Sequence, residues 1–516
     1  MTTAAGPAAE DVVVDAGDGW SRLSPRMLAV HAVMELRRLI FPLFAVLIGL
    51  RSGDGGEGGW WALGIGGVGI ALGFLRYFTT SFRITPTHVQ VRRGLLRRRV
   101  LTVPRDRIRT VDVTSNVLHR IFGLARVTVG TGQTDRKNDG VKLDGLSAAD
   151  AANLHRELLH RRPVAPIPDA GPAARSQPAE GGSETVLATL RPAWVRYGPF
   201  TLSGLVAIGV LFGVGSRLVN ESHVNLTKIG VVHDAIGYLR DRPVPVAILL
   251  VAAAVIVFTA VASTVGYVLT FWNFRLSRHS SGTQHVRRGL LTTRDTTIEE
   301  RRLRGVELSE PLLLRSVRGA RVLAIATGLR VGRGADRGGS VLLPPAPRAV
   351  AVAVAGTVIG DANPLTVALT RHGPRAGRRR FTRAGAVGII AILIVLALVL
   401  LAGAPWWAFW TASALLPLGA LLAWDRAASL GHALSADWLV SRHGSVVRRR
   451  YVLRTDAVIG WNLTTSLFQR RAGLTTLVAT TAGGEQRYSL PDTPDAEAIR
   501  VARTAVPGLL EQFLAG

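Results

Sequence analysis

Long uncharged runs and short alternating stretches divide most of this chain between them. Between Arg383 and Asp425 the run 384–424 holds no charge, enough for two helices of the roughly 20 apolar residues that a bilayer core requires. Pro405 breaks that run at "GAPWW", and Trp406 and Trp407 suit a membrane–water interface. The uncharged runs 243–274, between Arg242 and Arg275, 197–216, between Arg196 and Arg217, and 58–75, between Glu57 and Arg76, each give one span. "LIFPLFAVLIGL", 39–50, is much shorter, enclosed by Arg38 and Arg51. Arginines that snorkel let it serve as a short first helix, with a re-entrant or interfacial segment as the open alternative. The pattern predicts six transmembrane helices in three hairpins.

After each hairpin the period changes to two, as in Val89 and Val91, Val111 and Val113, Val127 and Val129. Gly94, Gly289 and Gly444 stand where a strand pair reverses, and "NVLHRIFG" interrupts the strands with Leu118, Ile121 and Phe122 at helical spacing. The three polar stretches line up. Gly94 is followed by Gly123 and Gly444 by Gly473 at the same separation, and Gly289 by Gly319 at one position more. Each stretch closes with an alanine-rich helix, "SAADAANLHRELLHR", "PRAVAVAVAGTVIG" or "PDAEAIRVARTAV", the first opening on a capping-box spacing, Ser147 and Asp150. "RPVAPIPDAGPAARSQPAEGGSE", 162–184, reads as a flexible linker, and "RHGPRAGRRR" leads into the third hairpin.

Charge then orients the pattern. Hydrophobic residues make up 48% of the 516, yet the formal net charge is +27, so apolar and basic character must be segregated along the chain. The hairpin tips hold five of the 62 basic residues (Arg51, Arg217, Lys228, Arg240 and Arg242) and five acidic ones, leaving 57 basic against 30 acidic residues on the other face. By the positive-inside rule, both termini and all large polar segments are expected on the cytoplasmic side of the inner (plasma) membrane. The acidic start "MTTAAGPAAEDVVVDAGDG" has no basic and apolar signal regions, so no cleaved signal peptide is expected. Zero cysteines exclude disulfides, thiolate metal sites and cysteine nucleophiles.

"VRRGLLRRRVLTVPRDRIRTVDV" followed by "RIFGLARVTVGTG" resembles the bacterial pleckstrin-homology-like (PH-like) membrane domain. The layout, a hairpin plus a polar domain three times over, is similar to the YdbT-like family. In the third copy "VPRDRI" becomes "LRTDAV", and the likeness is partial there. The resemblance implies a membrane α plus β protein in which each hairpin precedes an antiparallel β-sandwich or barrel closed by a C-terminal helix. It implies no particular activity. The expected order is an N-terminal segment 1–37, hairpin 38–79, PH-like domain 80–163, linker 164–192, hairpin 193–273, PH-like domain 274–364, linker 365–383, hairpin 384–425 and PH-like domain 426–516.

Arginines cluster at one strand reversal in each copy: Arg92, Arg93, Arg97, Arg98 and Arg99, then Arg287 and Arg288, then Arg448, Arg449 and Arg450. Near a membrane these are candidates for anionic headgroup contact, each contributing on the order of 1 kcal/mol. The plainer account, a solvated hairpin edge that also sets topology, weighs about equally. Nucleic acid is not expected, because no aromatics interleave the arginines as stacking platforms. "GIGGVG", 64–69, lies inside an apolar run and reads as close helix packing rather than a dinucleotide loop. The 12 histidines are scattered, and no P-loop, nucleophile elbow or HExxH occurs, so no catalytic residue, metal or cofactor is assigned. The expectation is a non-enzymatic scaffold whose PH-like domains bind anionic lipid headgroups, a membrane-protein partner or a second copy of the chain. A transporter, or an accessory subunit of an export or resistance complex, is the alternative. It is disfavoured because spans after the first carry no Asp, Glu, Lys, Arg or His.

Overall fold

Alternating valines need two sheet faces to bury them, and the chain supplies these as short antiparallel strands. The computed structural model describes residues 20–22, 24–27, 29–30, 81–85, 87–93, 99–104, 108, 110–130, 141–151, 154, 184–201, 209, 213, 216, 230–329 and 340–509. The chain divides into two compact units, the first built mainly from residues 1–177 and the second from 297–516 together with 178–207 and 257–290.

In the first unit β1 (Ser21–Arg22), β2 (Ser81–Ile84), β3 (His88–Arg93) and β4 (Arg99–Pro104) form one antiparallel sheet in that order. A second set, β5 (Thr110–Ser115), β6 (Leu124–Gly130) and β7 (Val141–Ser147), pairs antiparallel, with the short helix α1 (Val117–Ile121) between β5 and β6. Val89, Val91 and Val103 from one set and Val111, Val127, Val129 and Leu143 from the other share one core. Gly123 follows α1 at φ +67°, a left-handed position that favours glycine. Helix α2 (Gly230–Arg240) also belongs to this unit.

Helix α3 (Val244–Phe271) is 28 residues of almost unbroken apolar sequence. Its last turns belong to the second unit, where β8 (Glu184–Thr189), β9 (Arg275–His279) and β10 (Thr283–Arg288) lie side by side; of β11 (Thr293–Glu299), the residues from Thr297 on belong to this unit. Next come β12 (Leu303–Pro311), α4 (Leu312–Ser316), β13 (Gly319–Ala326), β14 (Val341–Pro347), α5 (Arg348–Ile359) and α6 (Asn363–Thr366). Leu276, Val286 and Ile298 from the first strands, Val306, Val322 and Leu342 from the later ones, and Val354 and Val358 of α5 form a common core.

Two long helices follow, α7 (Gly373–Ala402) and α8 (Trp406–Ala428). They run antiparallel: a Cβ on Gly377 would lie 3.9 Å from Ala427 Cβ, and one on Gly388 would press on Leu416 Cδ2 at 2.6 Å. Glycines at these points let the helices approach closely. Together with α3, they are the three described helices long and apolar enough to cross a membrane. Helix α7 starts with Pro374 in its first turn, so the stretch expected as the linker 365–383 is helical from Gly373 onward. The expected hairpin 38–79 lies outside the described residues, and the run 197–216 is described only at 197–201, 209, 213 and 216.

The last segment repeats the preceding order: β15 (Gly431–Ser435), β16 (Trp438–His443), β17 (Val447–Arg454), β18 (Val458–Thr464), α9 (Leu467–Ala472), β19 (Leu474–Thr481), β20 (Arg487–Pro494) and α10 (Asp495–Ala505). Its core joins Leu439, Tyr451 and Leu453 to Leu477, Leu490, Val501 and Ala502. Strand β17 pairs with β12 from Gly305↔Leu453 to Pro311↔Val447, so segments 275–359 and 431–505 share a six-stranded sheet, β14-β13-β12-β17-β16-β15. Gly305 permits this joint, because a Cβ there would collide with the Val452 carbonyl.

Candidate functional site

The arginines singled out at the strand reversals meet different fates. Arg92 is half-buried on β3, and Arg93 and Arg99 are paired in register across β3 and β4. Arg97 and Arg98 lie outside the described residues. On β10 the side chain of Arg287 is exposed, whereas Arg288 is buried with its guanidinium 5.2 Å from the Phe271 ring.

The third group is engaged within the protein. Arg448 donates to Asp425 Oδ1 at 2.8 Å, and the other Asp425 oxygen takes Arg315 at 2.9 Å, so one carboxylate at the end of α8 ties two strand-bearing segments. Arg449 reaches Glu307 and Glu485, each at 3.4 Å. Buried Arg450 donates to the Val367 carbonyl at 2.6 Å. Burial, with Arg442 and Arg348 nearby, lowers its pKa to about 10. The partners of this group come from α8, β12, the β19–β20 turn and the stretch just after α6, far away in sequence.

A cavity of about 390 Å³ opens where α7 begins, where α8 ends, and where β16, α9, β19 and β20 converge. Arg379, Arg380 and Arg383 line it from α7, Arg426 from α8, and His443 from the end of β16. Its floor is Asp492 on β20, which is fully buried and paired with both Arg379 and Arg380. Gln469 Nε2 also donates to Asp492, at 2.9 Å. Gln469 itself is fixed by a capping box with Ser466 at the start of α9. Asp492 sits at φ +57°, a left-handed conformation that only glycine, asparagine and aspartate visit readily. Burial pushes the His443 imidazole down to about 4, helped by Arg449, Arg380 and Arg426, so it is neutral at pH 7.

Behind the cavity runs a buried chain of rings. His372 Nδ1 donates to the Pro491 carbonyl at 2.9 Å, and its Nε2 lies 3.1 Å from His432 Nδ1. His432 Nε2 is 3.0 Å from Glu497 Oε1. Glu497 is held down to about 2, first by Arg500 and then, against its partial burial, by His432. No group of three or more metal-ligating side chains occurs among the described residues.

None of the cavity arginines stood among the candidates read from sequence. A signal was nevertheless present: basic residues flank both ends of one uncharged run, Arg378, Arg379, Arg380 and Arg383 before it and Arg426 after it. A family model described as bacterial PH domain matches residues 22–162 and 379–504, just over half of the chain. No curated protein and no solved structure matches it.

Proposed function

Because the chain belongs to the bacterial PH domain family, we propose that it is a non-enzymatic, multi-pass protein of the inner (plasma) membrane, laid out like the YdbT-like proteins. Six helices in three hairpins hold three PH-like domains on the cytoplasmic side, and those domains act as a scaffold and as binding modules for anionic headgroups. The observation that carries this reading is the junction of α8 with the last β-segment. Only two residues separate Ala428 from Gly431, and Asp425 at the helix end pairs with Arg315 and Arg448. Such a junction supports a β-domain held at the membrane surface rather than trailing on a loop. Outward apolar side chains on the same helices, Leu401, Val387 and Trp407 among them, suit lipid better than water.

Reporter fusions test the topology. A periplasm-active reporter at residue 230 should be active and the same reporter at the C terminus silent, with a cytoplasm-active reporter giving the reverse. Both positions reporting one side would sink the three-hairpin arrangement.

A further inference from the structure

The cavity beneath α7 and α8 has a more specific chemistry than a basic surface, and its place beside lipid rests on the reading that these helices cross a membrane. We propose that this cavity is a binding site for the phosphate of an anionic lipid headgroup, with a terminal phosphate monoester preferred over a diester.

Charge calls for an anion of more than one unit. Four guanidinium groups, Arg379, Arg380, Arg383 and Arg426, face one carboxylate, Asp492. Among the described residues, neither Arg383 nor Arg426 has a carboxylate within ion-pair distance, and both are exposed. A monoester phosphate carries roughly 1.5 to 2 negative charges at neutral pH. That balances most of the excess, whereas a diester supplies one charge.

Hydrogen-bonding capacity in the wall is also unspent. The Nε–H groups of Arg379 and Arg380 are buried, and neither has an acceptor, nor does His443 Nδ1 have a partner. The side chain of Arg380 is only 6% exposed, so bulk water does not satisfy that donor. Buried donors left in this state are costly, and because no water-sized atom reaches them as they stand, a ligand oxygen bonds them only once the guanidinium groups turn toward the cavity. Gln469, Thr476 and Ser489 add neutral polar groups to the wall. The volume falls within the range of small-ligand pockets, roughly 300–1,000 Å³.

Backbone conformation points the same way. Asp492 stands two residues before the end of β20, in the left-handed conformation that Gly145 adopts two residues before the end of β7. At the matching place β14 has Pro345. Aspartate is one of the few residues with a side chain that accept this conformation, and here it places a carboxylate where the other two copies have Gly145 and Pro345. Asp492 is a positioning residue: it fixes Arg379 and Arg380 side by side, so their outer edges present donors to the cavity.

Depth decides between lipid and solute. Arg383 is the last charge before the uncharged run 384–424, and Arg426 lies one residue past Asp425, the first charge after it. The cavity therefore opens at the level where an apolar helix pair meets water, which is the level of lipid phosphates. A site for a soluble phosphate has no reason to lie at this boundary.

The experiment uses the full-length protein, extracted in detergent, stripped of lipid, and titrated with phosphatidic acid, phosphatidylglycerol or phosphatidylcholine while adducts are counted by native mass spectrometry. Phosphatidic acid should bind tightest, phosphatidylglycerol next, and phosphatidylcholine without saturation. R383Q/R426Q should weaken phosphatidic acid about 30-fold, since each arginine near an anionic surface contributes about fivefold. R487Q/R503Q, which removes the same charge from exposed positions outside the cavity, should leave binding unchanged. A thermal melt checks folding, and if the double variant melts early, R426Q alone should show the fivefold loss. Equal binding of phosphatidic acid and phosphatidylcholine, or unchanged binding by R383Q/R426Q, overturns the proposal. Displacement of phosphatidic acid by submillimolar inorganic phosphate overturns the lipid as source. A chain washed off membranes by carbonate defeats the membrane reading itself, whereas an embedded chain indifferent to phosphatidic acid defeats only the site.

Discussion

Segments 275–359 and 431–505 run through the same order of strands and helices, yet the space where each meets the preceding helices is filled in opposite ways. Under the second segment the space is polar and open, lined by four arginines, with Gln469 on its short helix and Asp492 on its last strand. Under the first, the short helix offers Leu314 and the last strand Pro345. Trp194, Tyr197 and Tyr267 are buried in the same core as Leu314. There Tyr267 donates its hydroxyl to the Pro345 carbonyl at 2.9 Å, and Ser263 donates to the Thr201 carbonyl at 3.1 Å. One foot is thus an aromatic plug, while the other is a basic cavity held open by a carboxylate. A repeated fold supplies the frame, and two or three wall positions decide whether the frame encloses a core or a site.

The contrast breaks most sharply at Asp492. Asp492→Ala removes the buried counter-charge of Arg379 and Arg380 and leaves two guanidinium groups facing each other across a small space. Deleting one partner of a buried ion pair typically destabilises by about 3–5 kcal/mol. The full-length protein should show this as a large drop in thermal midpoint in detergent. A change within the error of the melt would mean that the cavity stays open without its carboxylate.

Much of the frame was legible in the chain, and little of the cavity was. Val89, Val91, Val111, Val127 and Val129 alternate, and all five are buried, because a period of two has only one way to face a sheet core. The alanine-rich stretches at 348–359 and 495–505 are helices for an equally local reason. Arg448, Arg449 and Arg450 looked like a basic edge because nothing local opposes them. Their partners Asp425, Glu307 and Val367 all lie on other elements, well beyond the reach of any periodicity. Arg379 and Arg380 read as part of a connecting stretch because the apolar run begins after them, although the helix that carries it begins before them.

Acid should weaken the polar foot. His372 is lowered to about 4, first by burial and then by His432, and His443 is lowered to about 4 by burial and its arginine neighbours. Both are neutral when folded, while in the unfolded chain they titrate near the ordinary 6.5. As pH falls below 6.5 the unfolded state takes up protons first, so stability declines from about pH 6.5 and levels off near pH 4. At pH 5.5 the two together should remove on the order of 3 kcal/mol. Glu497 acts separately: its stabilisation is complete above its ordinary 4.5 and is lost only as pH falls toward about 2. Melts between pH 7.5 and 5 should show a slope that the His372→Gln, His443→Gln double variant flattens, and an equal slope in that variant would assign the acid sensitivity elsewhere.

The smallest effect concerns one backbone position. The glycine pair of the middle copy, Gly289 and Gly319, stands one position further apart than Gly94 and Gly123 or Gly444 and Gly473, and the extra position has a structural cause. The left-handed residue after the short helix is Gly123 at φ +67°, Gly473 at φ +63° and, in the middle copy, Arg318 at φ +54°. Arg318 lies as far from Gly289 as Gly123 does from Gly94, so the turn itself keeps a constant spacing and the glycine has moved one place on. Gly319 serves packing instead: a Cβ there would come within 2.6 Å of Leu314 Cδ1 and 2.8 Å of Tyr197 Cδ1, the side chains of the plug. The aromatic foot therefore tolerates an exposed arginine in the strained conformation, which costs roughly 1–2 kcal/mol relative to its preferred region. Arg318→Gly relieves that strain but adds freedom to the unfolded chain, which offsets about 0.5–1 kcal/mol. The net expectation is a gain below about 1 kcal/mol, read as a thermal midpoint raised by about 1–2 °C. A lowered midpoint would show that the Arg318 side chain stabilises the turn more than its backbone strains it.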